Sequence, residues 1–140
     1  MGYFIYSGDV EELEGHAPFG DGECVALPKE TTSVGWTGFW RPGPRVVDLY
    51  YLNPGAVIAN FVIDSQGRGR FPNRHRYHAA LFIGFRRGVS GKVTSIEVMD
   101  QWVGAPVRRR DKRAYSADEA KRYGIAPADN ANEFYVVVKA

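Results

Sequence analysis

The apolar positions gather into short runs separated by stretches rich in glycine, proline and arginine. Gly55–Ile63 (GAVIANFVI) is nearly continuous in small and branched apolar residues, a pattern that predicts a strand. Tyr77–Phe85 (YHAALFIGF) and Val93–Trp102 (VTSIEVMDQW) predict two more, and Phe134–Lys139 (FYVVVK) a terminal one. Gln66–Arg76 reads as a basic loop, and residues 33–54, with two tryptophans and several turn formers, as a loop holding one short helical or extended piece. Helix signals are fewer. Ser116 with Glu119 three positions on fits a capping box, so a helix of about two turns should follow and stop at Gly124. Gly20-Asp21-Gly22-Glu23-Cys24 reads as a tight turn into an earlier helix, with Asp21 as candidate N-cap. Inside that helix Pro28 would cost about 3 kcal/mol, so the helix is either very short before Pro28 or starts again at it. Residues 1–20 read as an extended arm. An early helix followed by adjacent strands predicts an α+β fold with an antiparallel sheet.

Composition narrows the class. The chain has 140 residues, enough for one domain with its own core, so residues 1–140 are expected to form a single unit. Hydrophobic residues at 44% and charged residues at 24% are ordinary for a globular protein. The formal net charge of +2 is too small to imply nucleic-acid binding. The start, Met1–Ile5, has no basic region and is soon followed by acidic residues, so a cleaved secretory signal is not expected. No apolar run is long enough to span a bilayer, and membrane insertion is not expected. A soluble chain made in the cytoplasm is the expectation.

The single cysteine rules out an internal disulfide and leaves two readings of Cys24, a buried filler or a reactive thiol. A nucleophilic thiol needs a lowered pKa and a base beside it, and a helix start at Cys24 would favour the thiolate. Of three histidines, His16 lies in the polar arm and His75 in the arginine-rich loop, both read as solvated. His78 opens an apolar strand, where either a base or a structurally satisfied histidine would fit. If Phe85 faces Val93 in an antiparallel hairpin, paired numbers sum to 178 and His78 falls opposite Asp100. Opposed residues have Cβ atoms about 5 Å apart, so Asp100 could orient the imidazole; a slip of one residue would separate them onto opposite faces. The other reading of Asp100 is a turn residue at a strand end.

With these residues in hand, the chain resembles the CHAP/NlpC-P60 peptidoglycan amidases, and more narrowly the BPSL0067 family of CHAP-like proteins linked to type VI secretion amidase effectors. Gly22–Leu27 resembles that family's glycine-x-cysteine helix start, and Gly55–Phe61 the strand after its substrate-side loop. His78–Phe82 resembles the histidine strand, Val98–Trp102 the strand bearing the third catalytic residue, and Phe134–Val138 the closing strand. Together these cover most of residues 20–140, with Pro28 and Tyr77 as departures from the family pattern. The resemblance implies a papain-like fold with the cysteine at a helix N-terminus packed on an antiparallel sheet that carries the histidine and aspartate. It implies hydrolysis of an amide in the peptide stem of bacterial peptidoglycan by Cys24, His78 and Asp100, with no cofactor and no metal. It further implies an antibacterial effector that acts as a monomer, is delivered to the periplasm of target bacteria and is matched by an immunity protein.

Other features keep two readings. Trp36, Tyr77, Gln101 and Trp102 are candidate substrate contacts, although core packing would suit at least two of the three tryptophans. Arg68, Arg70, Arg74 and Arg76, and a second cluster from Arg108 to Arg113, could attract stem carboxylates but read more simply as solvated loop charge. A binding domain without catalysis, or a cysteine hydrolase acting on another amide inside the cell, would satisfy much of the same pattern.

Overall fold

The fold was taken from a computed structural model, and residues 2–139 are described. In chain order the strands are β1 (Arg41–Arg45), β2 (Val57–Asn60), β3 (Val62–Ile63), β4 (Gly69–Arg70), β5 (Ala79–Arg87), β6 (Val93–Asp100), β7 (Arg108–Arg113) and β8 (Phe134–Val138). The helices are α1 (Ala26–Thr31) and α2 (Ala117–Tyr123). Six strands form one sheet in the order β1-β8-β2-β5-β6-β7, with antiparallel neighbours throughout, and β3 and β4 pair separately. The protein is therefore α+β with a mainly antiparallel sheet.

The period of two along each strand divides the core. One face carries Val57, Ala59, Leu81 and Met99, with Leu27 of α1 packed on it. The other carries Ile58, Ala80, Phe82 and Val98, closed by Phe134 and Val136. The central strands β2 and β5 are buried on both faces, which is why their sequences read as continuous apolar runs.

Local chemistry sets the helices. α2 begins with the expected capping box, Ser116 accepting from the Glu119 amide and Glu119 accepting from that of Ser116. It ends at Gly124, whose φ of 65° suits a residue without a Cβ. α1 differs from expectation at its start. Its N-cap is Val25, and Asp21 instead accepts from the Glu23 amide in the turn before it. Pro28 does no harm. It is the third helical residue, where the missing N–H belongs to the first turn and would have no intrahelical acceptor. Thr31 and Thr32 side chains close the far end on the carbonyls of Leu27 and Pro28.

Three further expectations change. The first 20 residues are not a free arm: Tyr3 and Ile5 bridge to Val138 and Ala56, and a 3-10 turn at Val10–Leu13 buries Val10 and Leu13 in the core. The run Gly55–Ile63 is split after Asn60 into β2 and β3. Arg108–Arg113, expected as solvated loop, is the edge strand β7. Its charges are paired across the sheet: Arg109 meets Glu11, Glu14 and Glu97. The Arg108–Arg113 charges thus serve the fold, and Lys112 is buried outright.

Candidate active site

The site is built where β2, β5 and β6 end together. Asn60, the last residue of β2, is buried and holds His78 by the backbone. Its amide donates to the His78 carbonyl at 3.0 Å, and its Oδ1 accepts from the His78 amide at 2.9 Å. Its Nδ2 donates to the carbonyls of Pro127 and Glu133, which ties the segment before β8 to the same point. His78 is therefore fixed at its main chain before its ring makes any contact.

The ring then meets Asp100. Nε2 of His78 lies 2.8 Å from Oδ2 of Asp100. The hairpin register behind this contact is not the expected one. Leu81 faces Met99 and Phe82 faces Val98, so pairs sum to 180 near the site, and Asp100 lies beside Ala80 rather than His78. The slip is two residues, which preserves the face, and His78 reaches Asp100 as a diagonal neighbour. Because Nε2–H donates to the carboxylate, the ring's lone pair is left on Nδ1.

Asp100 has no solvent-exposed surface and is surrounded by donors. Arg110 donates from Nε to Oδ1 at 3.1 Å, and the Lys112 ammonium stands 3.7 Å from Oδ2. Burial pushes the carboxyl pKa up, but the His78 hydrogen bond and the charges of His78, Lys112 and Arg110 outweigh it and hold the group below the usual carboxylate range. Asp100 is accordingly ionised at neutral pH. Arg110 also stacks over Trp102, its guanidinium carbon 3.8 Å from the ring centre.

Cys24 and His78 line the same cleft, of about 820 Å³, together with Tyr77 and Trp102. The turn that delivers the thiol needs Gly22 at φ 85°, after which α1 begins two residues beyond Cys24. Burial pushes the Cys24 thiol up, the neighbouring charges of Glu23 and Asp100 push the same way, and the amides of Ala79 and Val25 pull against them without prevailing. The expected thiolate at a helix start is thus not the resting form. The influence of Ala79, the residue after His78, puts the thiol beside the start of β5.

The remaining expected contacts divide. Tyr77 and Trp102 face the cleft. Gln101 does not: it is buried with no exposed surface. Its Oε1 accepts from the Phe19 amide, and its Nε2 donates to the carbonyls of Phe19 and Glu23, so it braces the turn before Cys24. Trp36 is absent from the cleft lining; it is exposed and packs edge-on against Phe39. Trp40 alone of the three tryptophans is core. His75, with Arg74 and Arg76, lines the cleft, whereas His16 stacks on Phe19. Sequence reasoning missed Asn60, Lys112 and Arg110 as parts of the site. Asn60 carried a signal, a lone amide inside an otherwise apolar run. Among the described residues no three His, Cys, Asp or Glu side chains cluster as metal ligands do, and no helix is long and apolar enough to cross a membrane.

The fold and site define an α+β protein with one thiol and a carboxylate-bound histidine in a shared cleft. Residues 3–137 match the family described as Domesticated amidase effector 2, Dae2, and the chain belongs to that family. The Type VI secretion amidase effector 2 protein of Salmonella typhi is 32% identical, with 92% of this chain and 90% of that one covered. The solved structure of Type 6 secretion amidase effector 2 (Tae2) superposes with a TM-score of 0.77 at 28% identity, covering 97% of this chain and 94% of the other. The expected kinship with type VI amidase effectors stands on these likenesses.

Proposed function

We propose that this protein is a cysteine amidase that hydrolyses an amide bond in the peptide stem of bacterial peptidoglycan, working as an antibacterial effector. The observation that carries the catalytic assignment is the 2.8 Å contact of His78 Nε2 with the ionised, buried Asp100, made by a histidine that lines one cleft with Cys24. The contact supports a papain-like reading of the site, of the NlpC/P60 (CHAP) kind, in which the orienting carboxylate sits on Nε2 and Nδ1 is the basic nitrogen. The family and its named relatives support the amidase chemistry and the effector setting; delivery to the periplasm of target bacteria and a matching immunity protein belong to the proposal.

Burial pushes the Cys24 thiol up, which favours passing its proton to His78 Nδ1 as the sulfur attacks the scissile carbonyl carbon. Asp100 stabilises the imidazolium that forms. The backbone N–H of Cys24 donates to no acceptor among the described residues and is the candidate donor to the tetrahedral oxyanion. His78 then returns the proton to the leaving amine as the C–N bond breaks, leaving a thioester. Water, deprotonated by His78, attacks the thioester, releases the stem carboxylate and restores the thiol. Tyr77 and Trp102 form the apolar walls against which the stem lies.

Purified sacculi incubated with wild type and with Cys24→Ala, followed by chromatography of released fragments, test this. Wild type should yield new amines and shortened stems, and Cys24→Ala none. No release by wild type ends the amidase reading; equal release by both ends the assignment of the nucleophile and leaves an amidase of another kind.

A further inference from the structure

Lys112 is out of place by ordinary expectation. Lysine is almost never fully buried unless paired, yet this one is 4% exposed on an edge strand whose other cations, apart from Arg110, face solvent or surface acids. Its ammonium stands 3.7 Å from Oδ2 of Asp100 and 3.8 Å from Oδ1 of Asp129. The first carboxylate is the one that holds His78; the second sits on a 3-10 turn at the cleft rim. That turn is held to the loop before β5 as well, since the Ala128 amide donates to the Arg76 carbonyl at 3.0 Å.

We infer that Lys112 is a positioning residue for the proposed reaction: its buried ammonium clamps the Asp100 carboxylate behind His78 and links that carboxylate to the cleft rim through Asp129. The inference rests on the amidase reading given above. Oδ2 of Asp100 serves both His78 and Lys112, so the position of the imidazole depends on where the ammonium holds that oxygen. Arg110 fixes the other oxygen through Nε at 3.1 Å and reaches Oδ2 only with a longer contact from Nη2 at 3.4 Å, so His78 and Lys112 meet Oδ2 from the remaining sides.

The charge of Lys112 makes this separable from simple packing. Two cations, Lys112 and Arg110, oppose taking up a proton on the Asp100–His78 pair, and Asp129 favours it. Across the cleft stand Glu23 before α1, Lys29 on α1, and Arg74, His75 and Arg76 on the loop before β5. None of those cations lies within ion-pairing distance of Asp100, as the two β7 cations do. Removing the Lys112 charge therefore makes the pair easier to protonate, and the acid limb of the activity profile moves to higher pH.

The test uses a soluble stem fragment released from sacculi, with kcat and KM of wild type, Lys112→Met and Lys112→Arg measured from about pH 4 to 9. Lys112→Met keeps the stem's volume in an apolar setting. It should lower kcat by ~10- to 100-fold with KM within ~2-fold, and move the acid limb up by ~1 unit. Lys112→Arg should return the limb towards its wild-type position. An unchanged limb in a folded Lys112→Met, or a loss of activity that tracks only the unfolded fraction, overturns the inference. Lys112→Gln serves if Lys112→Met does not fold, with the same expected limb shift. Failure of both neutral variants to fold assigns Lys112 to the fold and also overturns it. An inactive wild type would instead fail the amidase reading itself, so the two failures are distinguishable.

Discussion

Replacing Gln101 by methionine should loosen the nucleophile turn at a cost that follows from three hydrogen bonds. The side chains are similar in volume, so little cavity is created and the loss is polar. The Phe19 amide loses an acceptor at 2.8 Å, and the carbonyls of Phe19 and Glu23 lose a donor at 3.0 and 2.9 Å. At about 1 kcal/mol net for each bond the sum is near 3 kcal/mol. Phe19 is partly and Glu23 largely exposed, so water will satisfy some of these groups, and about 2 kcal/mol is the expected loss. For a chain of this size that lowers the melting temperature by roughly 5–8 °C. Activity should fall further than stability: below the melting transition the folded variant should lose kcat, because the braced carbonyl of Glu23 is one residue from the nucleophile. Calorimetry paired with sacculus digestion at a temperature where both proteins are folded reads the two effects separately. A loss of under about 0.5 kcal/mol together with unchanged kcat would refute the reasoning.

Two further outcomes follow from the titrating groups. Burial lifts the Cys24 thiol, so its alkylation by iodoacetamide at neutral pH should be slower than that of a free thiol and should rise only above the ordinary range of about 8.5; a plateau of high reactivity at neutral pH would contradict it. Asp100 is held below its unfolded value, so the unfolded chain binds more protons between the two values and stability rises with pH there. Its contribution is complete above about pH 4 and is lost as pH falls through the lower folded value. Asp100→Asn should therefore be less stable than wild type at neutral pH, with Lys112 left buried beside a neutral amide, and the two urea-unfolding curves should converge as pH falls below about 4. Curves that stay parallel would show that Asp100 is not the depressed group. The same variant should lower kcat by about 100-fold or more, read on sacculi.

How much of this was legible depends on how far apart the interacting residues lie in the chain. The capping box at Ser116 and Glu119 and the stop at Gly124 are local, and the residues alone define them. The strands β2, β5, β6 and β8 were visible because burial on two faces leaves continuous apolar runs. β7 was not, because an edge strand reading RRRDKR satisfies its charges with partners that sequence spacing does not reveal: Glu11 and Glu14 near the start, Glu97 across the ladder, and Asp100 underneath. Gln101 failed for the same reason. A glutamine at a strand end suits a cleft or a brace equally well, and its partners lie 78 and 82 residues away.

The pairing of His78 with Asp100 survived a wrong register for a reason that bears on the chemistry. Side-chain direction repeats every two residues, so an error of two moves a contact along the strand but leaves it on the same face. The directly opposed pair that was expected would have set the carboxylate squarely under the imidazole. The diagonal pair leaves Asp100 two residues short of the position opposite His78, and the separate β6–β7 register puts it within reach of Arg110 and Lys112, whose partners on the ladder are Val98 and Ile96. The β6–β7 register thus brings two cations onto this carboxylate. They keep it ionised despite its complete burial, and an ionised Asp100 accepts from Nε2–H and so leaves the basic lone pair on Nδ1. In the proposed reaction the thiol, pushed up by its own burial, depends on that base for every turnover. A helix-start thiolate would have relaxed this dependence; in the proposed mechanism, the edge strand that looked like solvated charge becomes part of what activates the thiol.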